Sequence, residues 1–264
     1  MRRLLPALLF GALLALGMGE GARAASPFAD WAAVIVAGDW HAHSGEPSEV
    51  FDNARRDLAQ AFVAAGFSPA NLRQFSVRPE QYPDAHPSLA DPPAIMQAMS
   101  ELTTKAKGGC LVYITSHGAP SGTIVGERVF TPAGVAHMLD QACADRPTVA
   151  VISACFSGVF VPYLEGPQRM VLTAARPDRA SFGCGEQDRY TFFDTCVLQE
   201  LPKAHDFSAL GRAVQRCVAE RETELGAEPP SEPQLAIGGR LAPILPLYGF
   251  ARPPTVAAAK PAAP

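Results

Sequence analysis

The sequence predicts an α/β fold, a mainly parallel β-sheet with helices on both faces. Three observations carry this. Apolar runs of strand length, without polar alternation, stand at 32–37, 110–115 and 148–152. Such runs mark strands buried on both faces. Segments of helical periodicity alternate with them, the order that builds βαβ units. The chain has 264 residues, 48% of them hydrophobic and 18% charged. That is enough to bury a sizeable core, and unlike a disordered chain, a collagen repeat or a small disulfide scaffold.

The elements follow in order. Trp31 opens the first strand and Gly38 closes it. Phe51, Ala54, Leu58, Ala61, Phe62 and Ala65 recur at helical spacing, with Gly66 as the stop. Residues 72–77 form a short second strand. The proline-rich stretch 78–93 reads as a surface loop. Ile95, Met99 and Leu102 mark a second helix, stopped by Gly108-Gly109. Residues 110–115 are the third strand, and 123–125 with 128–130 form a hairpin around Gly126-Glu127. Thr131-Pro132 caps a helix whose apolar face is Val135, Met138, Leu139 and Ala142. Residues 148–152 and 170–174 are further strands, and 192–201 and 208–225 are helices. From Pro229 onward the chain is rich in proline.

The ends read differently from the body. Arg2-Arg3, the apolar run 4–16 and Ala22-Arg23-Ala24 have the order of a secretory signal peptide over residues 1–24. An uncleaved anchor is the weaker reading, because the run is short for a bilayer. The expected location is periplasmic or secreted, with no membrane anchor after cleavage. Removal of Arg2, Arg3, Arg23 and Glu20 takes the formal charge from −4 to −6. With no basic run, a nucleic-acid partner is not expected. Residues 25–250 read as one domain and 251–264 as a disordered Ala/Pro-rich tail.

Two strands end in reactive residues. The third delivers Ser116-His117-Gly118 and the fourth delivers Ser153-Ala154-Cys155-Phe156-Ser157-Gly158. In parallel sheets, sites form beyond the carboxyl ends of the strands. Successive strands tend to be neighbours, which puts an imidazole and a thiol on one edge. A thiol needs such a base nearby to become a nucleophile at neutral pH. The amides of Gly118 and Cys155 are the candidates for an oxyanion hole. Taken singly, His117 reads as a loop residue and Cys155 as a core thiol; only their conjunction points to chemistry.

Six cysteines, at 110, 143, 155, 184, 196 and 217, are too few for a disulfide framework. Cys196 and Cys217 lie on adjacent helices and read as a disulfide or as two buried thiols. Cys110 and Cys143 read as structural, and Cys184 as a loop residue near the site. His41-Ala42-His43 lacks a third ligand and reads as surface, so no metal is expected. No other cofactor is expected.

Trp31 to Gly38, Tyr113-Ile114-Thr115-Ser116-His117-Gly118 and Ser153-Ala154-Cys155-Phe156-Ser157-Gly158 resemble the legumain (asparaginyl endopeptidase) family of cysteine peptidases. Thr173-Ala174-Ala175-Arg176-Pro177, Ser181-Phe182-Gly183-Cys184 and Pro230-Ser231-Glu232-Pro233-Gln234 extend the likeness, the last toward bacterial members. The resemblance implies a caspase-like three-layer αβα sandwich with a mostly parallel six-stranded sheet. It implies a His117–Cys155 dyad that cleaves peptide bonds through an acyl-enzyme, with a peptide or protein as partner. The acidic residue of asparagine-specific members two places before the cysteine is Ser153 here. Their arginine-histidine pair is missing near Val50-Phe51-Asp52. Asp188 matches a later pocket aspartate. The tentative pocket is Ser153 and Asp188 from this resemblance, with Asp39 added because it follows the first strand, and asparagine specificity is not implied. Two alternatives stay open: a transamidase or transpeptidase of the same fold, and a non-catalytic binding protein that has kept the fold.

Overall fold

The structure, a computed structural model, describes residues 26–251. The signal peptide read at 1–24 and the tail from 252 lie outside the described residues. Along the chain come β1 (Trp31–Ala37), α1 (Val50–Ala64), β2 (Leu72–Ser76), β3 (Ser88–Leu89), α2 (Pro92–Lys105) and β4 (Gly109–Thr115). There follow β5 (Gly118–Ala119), β6 (Gly122–Val125), β7 (Arg128–Phe130), α3 (Pro132–Ala142), β8 (Thr148–Ser153) and α4 (Val161–Leu164). The last are β9 (Arg169–Thr173), α5 (Phe192–Glu200), α6 (Phe207–Leu225) and β10 (Gln234–Ile237).

The central sheet has seven strands in the order β10-β9-β8-β4-β1-β2-β3. All neighbours are parallel except β10, which runs antiparallel to β9. The two-residue β3 brings the count from the expected six to seven. It lies inside the stretch 78–93 that reads as a loop, and α2 begins there too, at Pro92. The hairpin β6–β7 forms as expected and gains β5, which makes a separate three-stranded sheet beside the main one.

Alternation along each buried strand divides the core. Trp31, Ala33 and Ile35 of β1 join Leu111 and Tyr113 of β4 in one cluster, under α1, α5 and α6. Ala32, Val34 and Val36 join Val112 and Ile114 in the other, under α2 and α3. Every residue of β1, β4 and β8 is buried. Burying each large apolar side chain contributes about 1.5–3 kcal/mol, so these three strands are the rigid centre. The helix starts follow local rules. Thr131 accepts a hydrogen bond from Gly134 N at 3.1 Å, with Pro132 in the first turn.

Cys196 and Cys217 join α5 to α6, and Cys110 and Cys143 join β4 to the end of α3. The open alternative for the first pair is thus settled as a disulfide, and two residues read only as structural prove to be a bridge. Cys155 and Cys184 are free. Among the described residues, no helix is long and apolar enough to cross a membrane.

Candidate active site

Register brings the two reactive residues together. On the adjacent strands β4 and β8, Thr115 pairs with Ser153. His117 and Cys155 each follow two residues later, so equal lengths of chain carry them past the carboxyl edge. The bond from Ser116 N to Ser153 O, 3.0 Å, keeps the chains parallel beyond the last pair. Neighbouring strands lie about 4.8 Å apart, which sets the scale of the separation.

Each side chain is held by loops from other strands. His117 Nε2 donates to the carbonyl oxygen of His41 at 3.0 Å. That carbonyl is only an acceptor, so Nε2 carries hydrogen and Nδ1 is left for other partners. The ring packs nearly perpendicular to that of Phe51, with centroids 5.1 Å apart. The loop supplying His41 is organised by Asp39. Its Oδ1 accepts from Trp40 N at 2.6 Å, His41 N at 3.1 Å and His41 Nδ1 at 2.7 Å. Asp39 therefore stands behind the His41 carbonyl. It also borders a cleft of about 530 Å³ with Trp40, Val77, Leu89 and Glu127.

Cys155 sits at the head of a sharp turn. Phe156 is left-handed (φ 57°), and its N–H donates to Arg179 O at 2.7 Å. Such a conformation costs an aromatic residue about 1–2 kcal/mol. Ser157 Oγ accepts from Ala175 N at 3.1 Å, fastening the turn to the loop after β9. Ser181, on that loop, donates its N–H to Cys155 Sγ at 3.3 Å. The polar partners of Sγ within reach belong to Ser181; His117 is not among them.

Two amides close to the thiol, those of Gly118 and Cys155, have no acceptor among the described residues. His117 O accepts from Ile124 N at 2.9 Å, while Gly118 lies opposite Thr123. Gly118 is thus a non-hydrogen-bonded position of its ladder, and its N–H points out of it. The amide of Cys155 has no acceptor among the described residues. A Cβ on Gly118 would stand 2.1 Å from Cys155 O and 2.9 Å from Ala154 Cβ. Gly118→Ala is therefore expected to displace the thiol loop and to lower kcat/KM about 100-fold. The check is steady-state kinetics beside a melting curve; unchanged kcat/KM would refute the close approach.

The other site candidates have these positions. Ser153 is 1% exposed and lies beneath the site, its Oγ 3.3 Å from Thr191 Oγ1. Asp188 Oδ2 accepts from Gly185 N at 2.8 Å and closes a turn of the loop. Cys184 is half-buried against Ala37, Val50 and Phe51. Burial, with Cys155 and Asp188 nearby, pushes its thiol up to about 11, so it stays protonated at neutral pH. His43 N donates to Cys184 O at 2.9 Å, which ties the first loop to this one. Among the described residues, no group of three His, Cys, Asp or Glu is arranged to hold a metal ion.

A buried polar group beneath the site is absent from the sequence reading. Asp194 is fully buried, with Oδ1 accepting from Tyr113 Oη and Oδ2 from Thr115 Oγ1, both at 2.6 Å. Burial pushes this carboxyl above the usual range, and the hydroxyls of Thr115 and Tyr113 oppose that. Burial, then the Asp194 charge, push the Tyr113 phenol up, so it remains a donor. The sequence signal is Thr191-Phe192-Phe193-Asp194, a capping-box spacing. Asp194 N does donate to Thr191 Oγ1 at 3.0 Å, yet the carboxyl turns inward to β4.

These features define a caspase-like α/β protein with a thiol and an imidazole at the carboxyl edge of its sheet. Residues 92–216 match the model of the Peptidase C13 family, and the likeness to the legumain family read from the motifs is thereby shown. The fold resembles the crystal structure of caspase-1 from Spodoptera frugiperda, with a TM-score of 0.58 and 15% identity over 80% of this chain and 88% of that one. A comparison with curated protein sequences finds no match. The match to the family model and the fold together support a cysteine peptidase.

Proposed function

We propose that the chain is an exported cysteine endopeptidase acting through a Cys155–His117 dyad and a thioester acyl-enzyme. The observation that carries this is the shared register of β4 and β8, with Thr115 opposite Ser153 and each reactive residue two places on. A peptide carbonyl entering between Sγ and the imidazole is attacked by the sulfur. His117 takes the thiol proton and returns it to the leaving amine. The amides of Gly118 and Cys155 receive the developing oxyanion. Water, activated by the same imidazole, then releases the acyl group. The His41 carbonyl and Asp39 hold the ring in its tautomer. No step asks for a metal or cofactor.

Export is supported by the charged, apolar and small-residue order of 1–24, and two disulfides suit an oxidising compartment. The test is labelling of the folded protein with peptide acyloxymethyl ketones carrying Asn, Asp, Arg, Lys or Leu next to the warhead. One adduct, mapped to Cys155 by mass spectrometry, is the expected result. An adduct on Cys184, or none with any peptide, would overturn the assignment.

A further inference from the structure

We infer that Asp194 is a positioning residue for the dyad, its carboxyl acting on His117 through Thr115, while its backbone N–H holds Thr191 and, through it, Ser153 below Cys155. The inference rests on the dyad proposed above and adds a residue to it.

Geometry supplies the first reason. Tyr113 and Thr115 are two apart on β4 and so share a face, and one carboxyl binds both hydroxyls. Thr115 is the last residue of β4 and Ser153 the last of β8. Ser153 Oγ meets Thr191 Oγ1 at 3.3 Å, and Thr191 Oγ1 accepts from Asp194 N at 3.0 Å. The ends of both strands that deliver reactive residues are thus fastened to the first turn of α5. A strand's last residue is otherwise held only by its ladder, and the residues beyond it inherit its freedom. Clamping Thr115 and Ser153 removes that freedom two residues before His117 and Cys155.

Energetics supply the second reason. A buried carboxyl costs several kcal/mol unless it is well partnered. The groups that partner the Asp194 carboxyl are uncharged hydroxyls, those of Tyr113 and Thr115 at 2.6 Å, with those of Ser153 and Thr191 beside them. Its neighbours on α5, Phe193, Cys196 and Val197, show that this face otherwise packs with apolar groups. A side chain chosen only to fill the core would be apolar. A carboxyl here exchanges stability for directed bonds to two specific hydroxyls.

The test uses the full chain with Asp194→Asn. An amide has one acceptor oxygen, so one of the two hydroxyls must turn or lose its bond. The expected result is a fall of about 10-fold to 100-fold in kcat with KM within about twofold, since misplacement by 1 Å costs on that order. Thr115→Val should give a similar fall, and the double variant little more than either, because both break one link. Iodoacetamide alkylation of Cys155, followed by mass spectrometry, gives a readout independent of peptide cleavage, and its rate should change in parallel. A variant with a lower Tm but wild-type kcat and alkylation rate would make Asp194 a purely structural residue and overturn the inference. Failure of the peptidase reading is different: the wild type itself would lack turnover. The alkylation rates then decide, an unchanged rate in both variants overturning the inference. Should Asp194→Asn not fold, Thr115→Val, which keeps the carboxyl and its Tyr113 bond, carries the same comparison.

Discussion

Cys155→Ala is expected to abolish the proposed peptide-bond cleavage, and His117→Ala to lower kcat/KM by at least about 1000-fold; these are the largest effects on activity expected here. The reasoning starts from the strands. β4 and β8 are rigid and in register at Thr115 and Ser153, so neither substitution disturbs what places the other residue. Both positions are half-buried loop residues with few packing duties, and melting temperatures should stay close to wild type. The losses therefore report chemistry. Without the sulfur there is no covalent intermediate. Without the imidazole nothing takes the thiol proton or returns one to the leaving amine. The double variant should be no worse than Cys155→Ala, because the two groups act as a unit. Cys184 offers no bypass, since its thiol is pushed up to about 11. The measurement is hydrolysis of whichever peptide labels best, with active-site titration. Cleavage surviving in Cys155→Ala would place the nucleophile elsewhere.

The parts of the fold that were legible in the sequence are those where one physical constraint acts alone. β1, β4 and β8 are buried on both faces, so their apolar runs admit little else. His117 and Cys155 stood out because each follows such a run directly. β10 did not stand out: four half-buried residues follow the proline-rich 229–233, and nothing in their pattern separates strand from coil. β3 is two residues long and rests on β2 alone. Within the site, the missed features are of two kinds. His41 contributes a backbone carbonyl, which any residue supplies, so no side-chain motif marks it. Asp194 sits at a helix start, where Thr-x-x-Asp has an adequate local explanation. Only the packing of α5 against β4 turns its carboxyl inward. Cys110 read only as structural for the same reason: an apolar strand hides a half-cystine until its partner on the neighbouring helix is located.

Asp52→Ala is expected to cost about 3–5 kcal/mol of stability, the figure for a buried ion left without its partner. The ion is Arg55, whose side chain is 0% exposed, with Nε donating to Asp52 Oδ1 at 2.8 Å. Asp52 Oδ2 also accepts from Ser76 Oγ at 3.0 Å. Arg55 otherwise donates to Gln74 and lies over the ring of Tyr82, 5.0 Å from its centroid. Its Nη2 has no hydrogen-bond partner among the described residues, so nothing is in reserve when the carboxylate goes. The pair itself adds little net stability. Burial pushes the Asp52 carboxyl above its usual range even though Arg55 opposes this, so desolvation outweighs attraction. A folded pKa above the unfolded one means that the stability from this group is full below the ordinary carboxylate pKa and is lost as pH rises through the folded value. Replacing both partners with apolar residues, Asp52→Leu with Arg55→Met, should therefore recover most of what Asp52→Ala loses. The check is urea unfolding of the three proteins near neutral pH, where the single variant should also melt about 10 °C lower. A loss under about 1 kcal/mol in Asp52→Ala would mean that the guanidinium reaches water from the folded state, and that the first turn of α1, which carries Phe51 against His117, is looser than its burial implies.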